Sequence, residues 1–174
     1  MKKFLPFLVS LLLLTGCGLF SKEYTPGHSF ADQNELLRVL DTEDWDFELT
    51  NVSGPYVPRN FNTYGFGFQV RGDSIRSYLP FFGVSYTAPL YGSNEGPLTF
   101  EEPIASYSVT PGPHEGEATI EIVTRKAPRN EIVYYVNAFT NGSASVPMVS
   151  TDTQSLTFRG QIVLPADRKT ERTQ

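Results

Sequence analysis

The residues of this chain that could do acid–base or metal chemistry are few and do not form a recognisable constellation. His114 lies beside Glu115 and Glu117 in a Pro-Gly-Pro-His turn, whereas a metal site needs three or four His, Cys or carboxylate ligands. Glu101 and Glu102 are adjacent, so on a strand they face opposite sides and cannot act as a glycosidase pair. No nucleophile-elbow motif or phosphate-binding glycine loop is present. The sequence therefore predicts a non-enzymatic protein with no cofactor and no metal, and a solvated turn at His114.

Cys17 is the residue for which the sequence predicts a definite chemical modification. Two lysines precede a largely apolar run, which ends in the tetrapeptide Leu-Thr-Gly-Cys. As a helix this run spans about 16 Å, roughly half the hydrocarbon core of a bilayer, so it predicts a secretory signal rather than a transmembrane anchor. The tetrapeptide resembles a bacterial lipobox, which implies that Cys17 is acylated and becomes the mature N-terminus. The alternative is an ordinary cleaved signal with an incidental cysteine.

The expected product is a chain attached to a membrane through acylated Cys17. One acyl chain binds a bilayer only marginally, whereas the three chains of a bacterial lipoprotein attach it stably. Gly18 stands where an aspartate favours retention in the inner membrane, which predicts an outer-membrane location. The segment Gly18–Lys22 lacks the acidic run of surface-exported lipoproteins, which favours the periplasmic side over the cell surface.

Length, composition and charge indicate how the rest of the chain is organised. Of its 174 residues, 40% are hydrophobic and 19% are charged, which predicts one soluble domain and excludes a disordered chain or a multi-pass membrane protein. Removal of the signal takes two of the 14 basic residues and leaves 19 acidic ones, so no nucleic-acid partner is expected. We divide the chain into a signal peptide with a lipobox at 1–17, a tether at 18–28, a single β-rich domain at 29–165 and a flexible tail at 166–174. We expect a monomer.

Hydrophobic periodicity predicts one short helix followed by β-strands. Asp32-x-x-Glu35 resembles a capping box, and Leu36, Leu37 and Leu40 form an apolar stripe within about ten residues. From there the period changes to two, which predicts eight strands. They are Trp45–Thr50, Tyr64–Val70, Ile75–Phe81, Ile104–Val109, Ala118–Thr124, Glu131–Phe139, Ser143–Val149 and Leu156–Leu164. The stretch Ile132–Phe139 is apolar on both faces, which predicts a central strand or one covered by the helix.

The short connections between these strands predict a mainly β fold, a mostly antiparallel meander with one short N-terminal helix. Eight strands can close into a small barrel that is filled by side chains or holds one small ligand. A two-sheet sandwich is the alternative, and the periodicity does not distinguish the two architectures.

The stretch from Gly72 to Tyr86, which includes Tyr-Leu-Pro-Phe-Phe-Gly, is the most distinctive part of the domain. It is similar to the signature of the lipoproteins grouped as domain of unknown function 4251, which are typical of Bacteroidetes. Three later segments carry the same resemblance: Phe100–Val109, Asn141–Ala144 and Leu156–Gly160. The resemblance covers roughly Ala31 to Pro165. It implies a signal-bearing β-domain of the cell envelope and brings no catalytic residues with it.

The same aromatic stretch is the candidate binding site. It runs from a strand into a long loop, and loops of that length are usually functional. Aromatic side chains supply rigid apolar surface for sugars, peptides or another protein, and we select Phe82, Tyr86 and Tyr91 as candidate binding residues. The alternative is that Leu79, Phe81 and Phe82 plug one end of a barrel. The function predicted here is binding of a protein partner or a small molecule, with a purely structural envelope protein as the alternative and an enzyme as a more remote one.

Overall fold

Eight β-strands form a closed barrel in the computed structural model, which describes residues 27–86, 98–126 and 130–167. Each strand pairs antiparallel with its neighbours in sequence, and the last strand pairs with the first. The elements are α1 (Gln33–Leu40), β1 (Asp44–Ser53), β2 (Gly67–Arg71), β3 (Ser74–Tyr78), β4 (Thr99–Pro111), β5 (Glu117–Lys126), β6 (Asn130–Phe139), β7 (Ser143–Ser150) and β8 (Leu156–Val163). The predicted fold class is confirmed, and of the two architectures considered the structure is the barrel.

The interior of the barrel is filled by large side chains that alternate along the strands. Phe47 and Phe68 stack with ring centroids 5.0 Å apart, and Phe68 also contacts the ring of Tyr134. Gly160 makes room for this packing, because a Cβ there would lie 2.7 Å from the Phe47 ring. Along β8 the predicted inward residues are all buried, while Arg159 between them is exposed. The barrel is therefore closed around a hydrophobic core.

Two tyrosine hydroxyls, one in this core and one partly buried against it, have hydrogen-bond partners. Tyr134 donates to Ser77 Oγ at 3.2 Å, and Ser77 in turn donates to the carbonyl of Leu98 at 2.9 Å. Tyr107 donates to the carbonyl of Leu40 at 2.7 Å and accepts from Trp45 Nε1 at 3.0 Å. Burial raises the pKa of both tyrosines well above its ordinary value, because the phenolate would lose its hydration.

Helix α1 closes one end of the barrel, which we call the helix end. Asp32 caps it by accepting from the Glu35 backbone N–H at 2.8 Å, while the Glu35 carboxylate accepts from the Ala31 backbone N–H. Leu36 and Leu40 are fully buried, and the helix packs against β1, β4 and β5. It has eight residues rather than about ten. No described helix has both the length and the hydropathy that a bilayer span requires.

Of the two alternatives that the sequence predicted for Ile132–Phe139, the structure agrees with a strand that has a neighbour on each side. The strand is paired on both sides, as every strand of a closed barrel is, but the helix packs on other strands and leaves Tyr135 39% exposed. The apolar residues on the second face of β6 therefore line the outer wall of the barrel.

The chain enters the barrel at the helix end. The His28 backbone N–H donates to Ile162 O at 2.9 Å, and that of Phe30 donates to Thr140 O at 2.8 Å. A lone histidine at the end of a tether is expected to be solvated, but His28 is not. Its ring is half-buried, packs against Phe30 and lies 2.9 Å from the carboxylate of Asp167. Residues 27–30 thus form a strap that is bound to the barrel.

Candidate functional site

The end of the barrel opposite α1 carries the longer connections, and we call it the long-loop end. The β1–β2 loop (54–66), the residues after β3 and the β7–β8 loop (151–155) meet there. Most of the exposed large hydrophobic side chains of the described residues lie at this end: Tyr56, Tyr64, Tyr78, Val84 and Tyr86. Exposed aromatic and apolar surface is thus concentrated at one end of the barrel.

Residues 79–86 cross this end of the barrel from β3 to the β7–β8 loop. The Gln154 backbone N–H donates to Val84 O at 3.0 Å, and that of Tyr86 donates to Asp152 O at 2.7 Å. Leu79 is buried, whereas Tyr86 is 66% exposed. The segment therefore has a part that covers the barrel, as one alternative raised by the sequence predicts, and an exposed part; its role in binding stays a prediction.

Phe82 belongs to a row of four aromatic rings that joins three segments of the long-loop end. It meets Phe61 edge-on at 4.7 Å, and Phe61 contacts Phe66 at 5.4 Å. Phe66 stacks on Tyr78 at 4.9 Å. Phe82 and Phe61 are each half-buried and pack against the core, so Phe82 is less available to a partner than Tyr86.

The remaining candidates lie outside the described residues. Cys17 and Tyr91 are among them, so the geometry of the candidate site concerns Phe82 and Tyr86 and the residues around them.

An open groove of about 380 Å³ lies beside this row, between the end of β1 and the β1–β2 loop. We call it the β1 groove. Its lining comprises Thr50, Asn51, Val52, Ser53, Gly54, Val57, Pro58, Arg59, Phe61 and Thr63. The sequence analysis did not select these residues. The strand predicted from Tyr64 in fact begins at Gly67, because Phe66 donates to Thr63 O in a turn where Gly65 has φ +81°.

The β1 groove exists because β1 is longer than its partner. β2 pairs with β1 only from Asp44 to Glu48, whereas β8 pairs with β1 as far as Ser53. The last backbone hydrogen bond on this side runs from the Leu49 N–H to Phe66 O, and the loop residues before Phe66 turn away from β1. Residues 50–53 consequently have no described strand on the β2 side.

Charge is distributed unevenly between the two ends. Arg59 is the sole charged residue in 54–66 and in 79–86, and it forms no ion pair with a described residue. Acidic side chains collect at the helix end: Asp32, Glu35, Asp41, Glu43, Asp44 and Asp73. The β1–β2 loop and residues 79–86 therefore present one guanidinium in an otherwise uncharged, aromatic surface. Elsewhere at the same end, Asp152 lies in the β7–β8 loop and Arg125 pairs with Glu131 where β5 meets β6.

The residues considered for acid–base or metal chemistry lie apart. His114 and Glu115 are exposed in the β4–β5 turn, whereas Glu117 is buried and accepts from Gln33 Nε2 through its backbone carbonyl. Glu101 forms an exposed ion pair with Arg76. Across the described ranges, no three His, Cys, Asp or Glu residues are grouped so that they could hold a metal ion.

Two family models match the chain. One, described as "Domain of unknown function (DUF4251)", matches residues 29–162. The other, described as "Prokaryotic membrane lipoprotein lipid attachment site", matches residues 1–17. No curated protein and no solved structure matches the chain.

Proposed function

This chain belongs to the family described as "Domain of unknown function (DUF4251)" and is a membrane-anchored lipoprotein of the cell envelope, and from this premise we propose that it binds a protein partner or a small molecule at its long-loop end without catalysing a reaction. The observation that carries the proposal is the concentration of exposed tyrosines beside the β1 groove, around a barrel whose interior is filled. Binding then takes place on the outer surface of the barrel rather than inside it.

The position of the strap supports this choice of surface. Residues 27–30 bind at the helix end, so the chain runs from that end toward the lipidated Cys17. A strand of ten residues such as β1 is about 33 Å long, which separates the two ends of the barrel. The long-loop end therefore lies on the far side of the barrel from the point where the anchor segment joins it.

We assign the anchor to the outer membrane and the body to the periplasm. Gly18 follows Cys17 in place of an aspartate, and Gly18–Lys22 contains no acidic residue. The acyl groups on Cys17 include palmitate under this assignment. Protease added to intact cells should leave the protein whole; degradation under those conditions would place the body on the cell surface instead.

Site-specific photocrosslinking in intact cells tests the binding surface. A photoreactive phenylalanine analogue at Tyr64 or Tyr86 should give discrete crosslinked products, because both side chains are exposed at the long-loop end. Tyr135 is the matched control, since it is also exposed but lies on the outer wall of β6. Equal crosslinking from all three positions, or none from the first two, contradicts the proposed surface.

A further inference from the structure

We propose that the β1 groove binds an extended peptide segment of a partner protein, which adds to β1 as a short strand and places an acidic side chain against Arg59. The inference rests on the binding function proposed above and names the chemical class of the partner. It is carried by a strand edge and a cation in the same groove, neither of which is paired with another described residue.

The strand edge is the stretch of β1 from Thr50 to Ser53. β8 pairs with Asn51–Ser53 on one side, with a register shift at Thr50, and no described strand pairs with the stretch on the other. Alternate residues of a strand direct their backbone N–H and C=O groups to the same side, so this stretch offers hydrogen-bonding groups to the groove. Unpaired strand edges are templates for an added strand, and four residues provide about 13 Å of such an edge.

One other strand, β4, also extends beyond its neighbour, but unlike the end of β1 its extension is covered. Past Pro103, β4 also runs beyond β3, because the pairing of these two strands ends there. Helix α1 packs against β4, and Tyr107 on that part of the strand donates to Leu40 O. This overhang is therefore covered by the protein itself, whereas the β1 groove is open.

Arg59 determines the charge of the partner. It is the sole charged residue of the β1–β2 loop and has no ion-pair partner among the described residues, in a chain of net charge −5. A guanidinium binds a carboxylate through short, charge-assisted hydrogen bonds. An acidic peptide is therefore complementary to this groove, although the protein as a whole repels acidic molecules.

The aromatic lining favours a peptide over a saccharide. Sugar rings bind to an aromatic side chain whose face is free, but Phe61 is half-buried between Phe66 and Phe82. With Val57 and Pro58 it forms an apolar wall opposite a polar strand edge. An extended peptide matches this arrangement because its backbone is polar and its alternate side chains lie on opposite faces.

Binding of labelled hexapeptides to the mature lipidated protein in lipid nanodiscs tests the proposal. The probe is the acetylated, amidated peptide Val-Thr-Asp-Thr-Val-Thr, and the same peptide with Lys in place of Asp is its matched control. Fluorescence anisotropy should show that the acidic peptide binds at least about tenfold more tightly than the basic one. Arg59→Glu should reverse this preference, whereas Arg38→Glu, the same charge change on α1, should leave it unaltered.

Backbone methylation of the peptide distinguishes strand addition from other modes of binding. Two versions of the acidic peptide carry N-methyl groups on odd or on even residues. Only one set of amides faces β1 in an added strand, so one version should lose binding and the other retain it. Hydrogen exchange should at the same time become slower in the peptide fragment that contains Thr50–Ser53.

Three results overturn the proposal. They are the absence of binding by the acidic peptide up to about 1 mM, equal effects of the two methylated versions, and binding of chitotetraose without binding of the peptide. If crosslinking from Tyr64 and Tyr86 succeeds while the acidic peptide fails, the binding function stands and the peptide class is wrong. If both fail, the long-loop end is not a binding surface.

Discussion

The ring of Phe66 stacks on the ring of Tyr78, with centroids 4.9 Å apart and planes inclined by 8°. Phe66 belongs to the β1–β2 loop and Tyr78 ends β3, so this contact fixes the loop to the barrel wall at the point where the chain of β2 turns away from β1. Phe66 also contacts Phe61, which lines the β1 groove, so this stack lies directly behind the groove wall.

We predict that Phe66 and Tyr78 are energetically coupled. In a double-mutant cycle, Phe66→Ala and Tyr78→Ala should show a coupling free energy of about 0.5–1.5 kcal/mol, the range for aromatic pairs. Denaturant unfolding of the four proteins without residues 1–17 measures it. As a control, Tyr135→Ala combined with Phe66→Ala should be additive, because Tyr135 lies on a different part of the wall. Additivity of Phe66 and Tyr78 would mean that the stacking does not hold the loop.

The residues that cross the long-loop end should divide into stabilising and exposed positions. Leu79→Ala should lower the free energy of unfolding by about 2–5 kcal/mol, because Leu79 is buried in the core. Tyr86→Ala should change it by less than about 0.5 kcal/mol, because its side chain is 66% exposed. Thermal melts compare the two. A melting temperature for Tyr86→Ala as low as that for Leu79→Ala would remove Tyr86 from the candidate binding residues.

The sequence makes the same prediction for Tyr91, and melts of Tyr91→Ala extend the test to that position.

Stability should fall in alkaline solution because of the buried Tyr134 and the partly buried Tyr107. Burial raises the pKa of Tyr134 above its usual value of 10.0, so above pH 10 the unfolded chain loses a proton that the folded chain keeps. The stabilisation is complete below pH 10 and decreases as the pH rises, by up to about 1.4 kcal/mol per pH unit for each such group. Unfolding at pH 9, 10 and 11 measures this slope.

Tyr134→Phe should reduce the alkaline slope, since it removes the titrating hydroxyl but keeps the ring. Tyr86→Phe is the matched control, because it removes the same hydroxyl from an exposed side chain. An alkaline slope that Tyr134→Phe leaves unchanged would assign the effect to other groups.

Lipid attachment depends on a single thiol. Cys17→Ala should abolish incorporation of labelled palmitate and release the protein from the membrane fraction or leave it unprocessed, because Cys17 ends the lipid attachment site. Metabolic labelling followed by fractionation measures both effects. Ser21→Ala, a change just after the cysteine, should retain label. Unlabelled wild-type protein in the soluble fraction would contradict acylation.

Most of the barrel follows from local sequence, and most of the candidate site does not. Alternating burial gives β1, β5, β7 and β8 nearly as they are, because each strand has one face in the core. The groove depends instead on where two strands stop pairing. Tyr64 and Phe66 continue the alternation of Phe68 and Val70, yet the turn at Gly65 removes them from the strand.

Long-range contacts explain the other differences. His28 is unremarkable in sequence, and its position is set by hydrogen bonding to Ile162 and by the carboxylate of Asp167, more than 130 residues away. Arg59 likewise is an ordinary loop arginine in sequence, and only the fold places it in a groove with the end of β1. Both require knowledge of which turns come together at each end of the barrel.

The pairing of β1 with β8 has a consequence for the order in which the barrel folds. Asp46 pairs with Val163, so the barrel cannot close until nearly the whole domain has been synthesised. The other strand pairs join consecutive strands and can form as hairpins, whereas this pair joins the two ends of the domain and closes by far the longest loop. We therefore expect the addition of β8 to β1 to be the last step of folding.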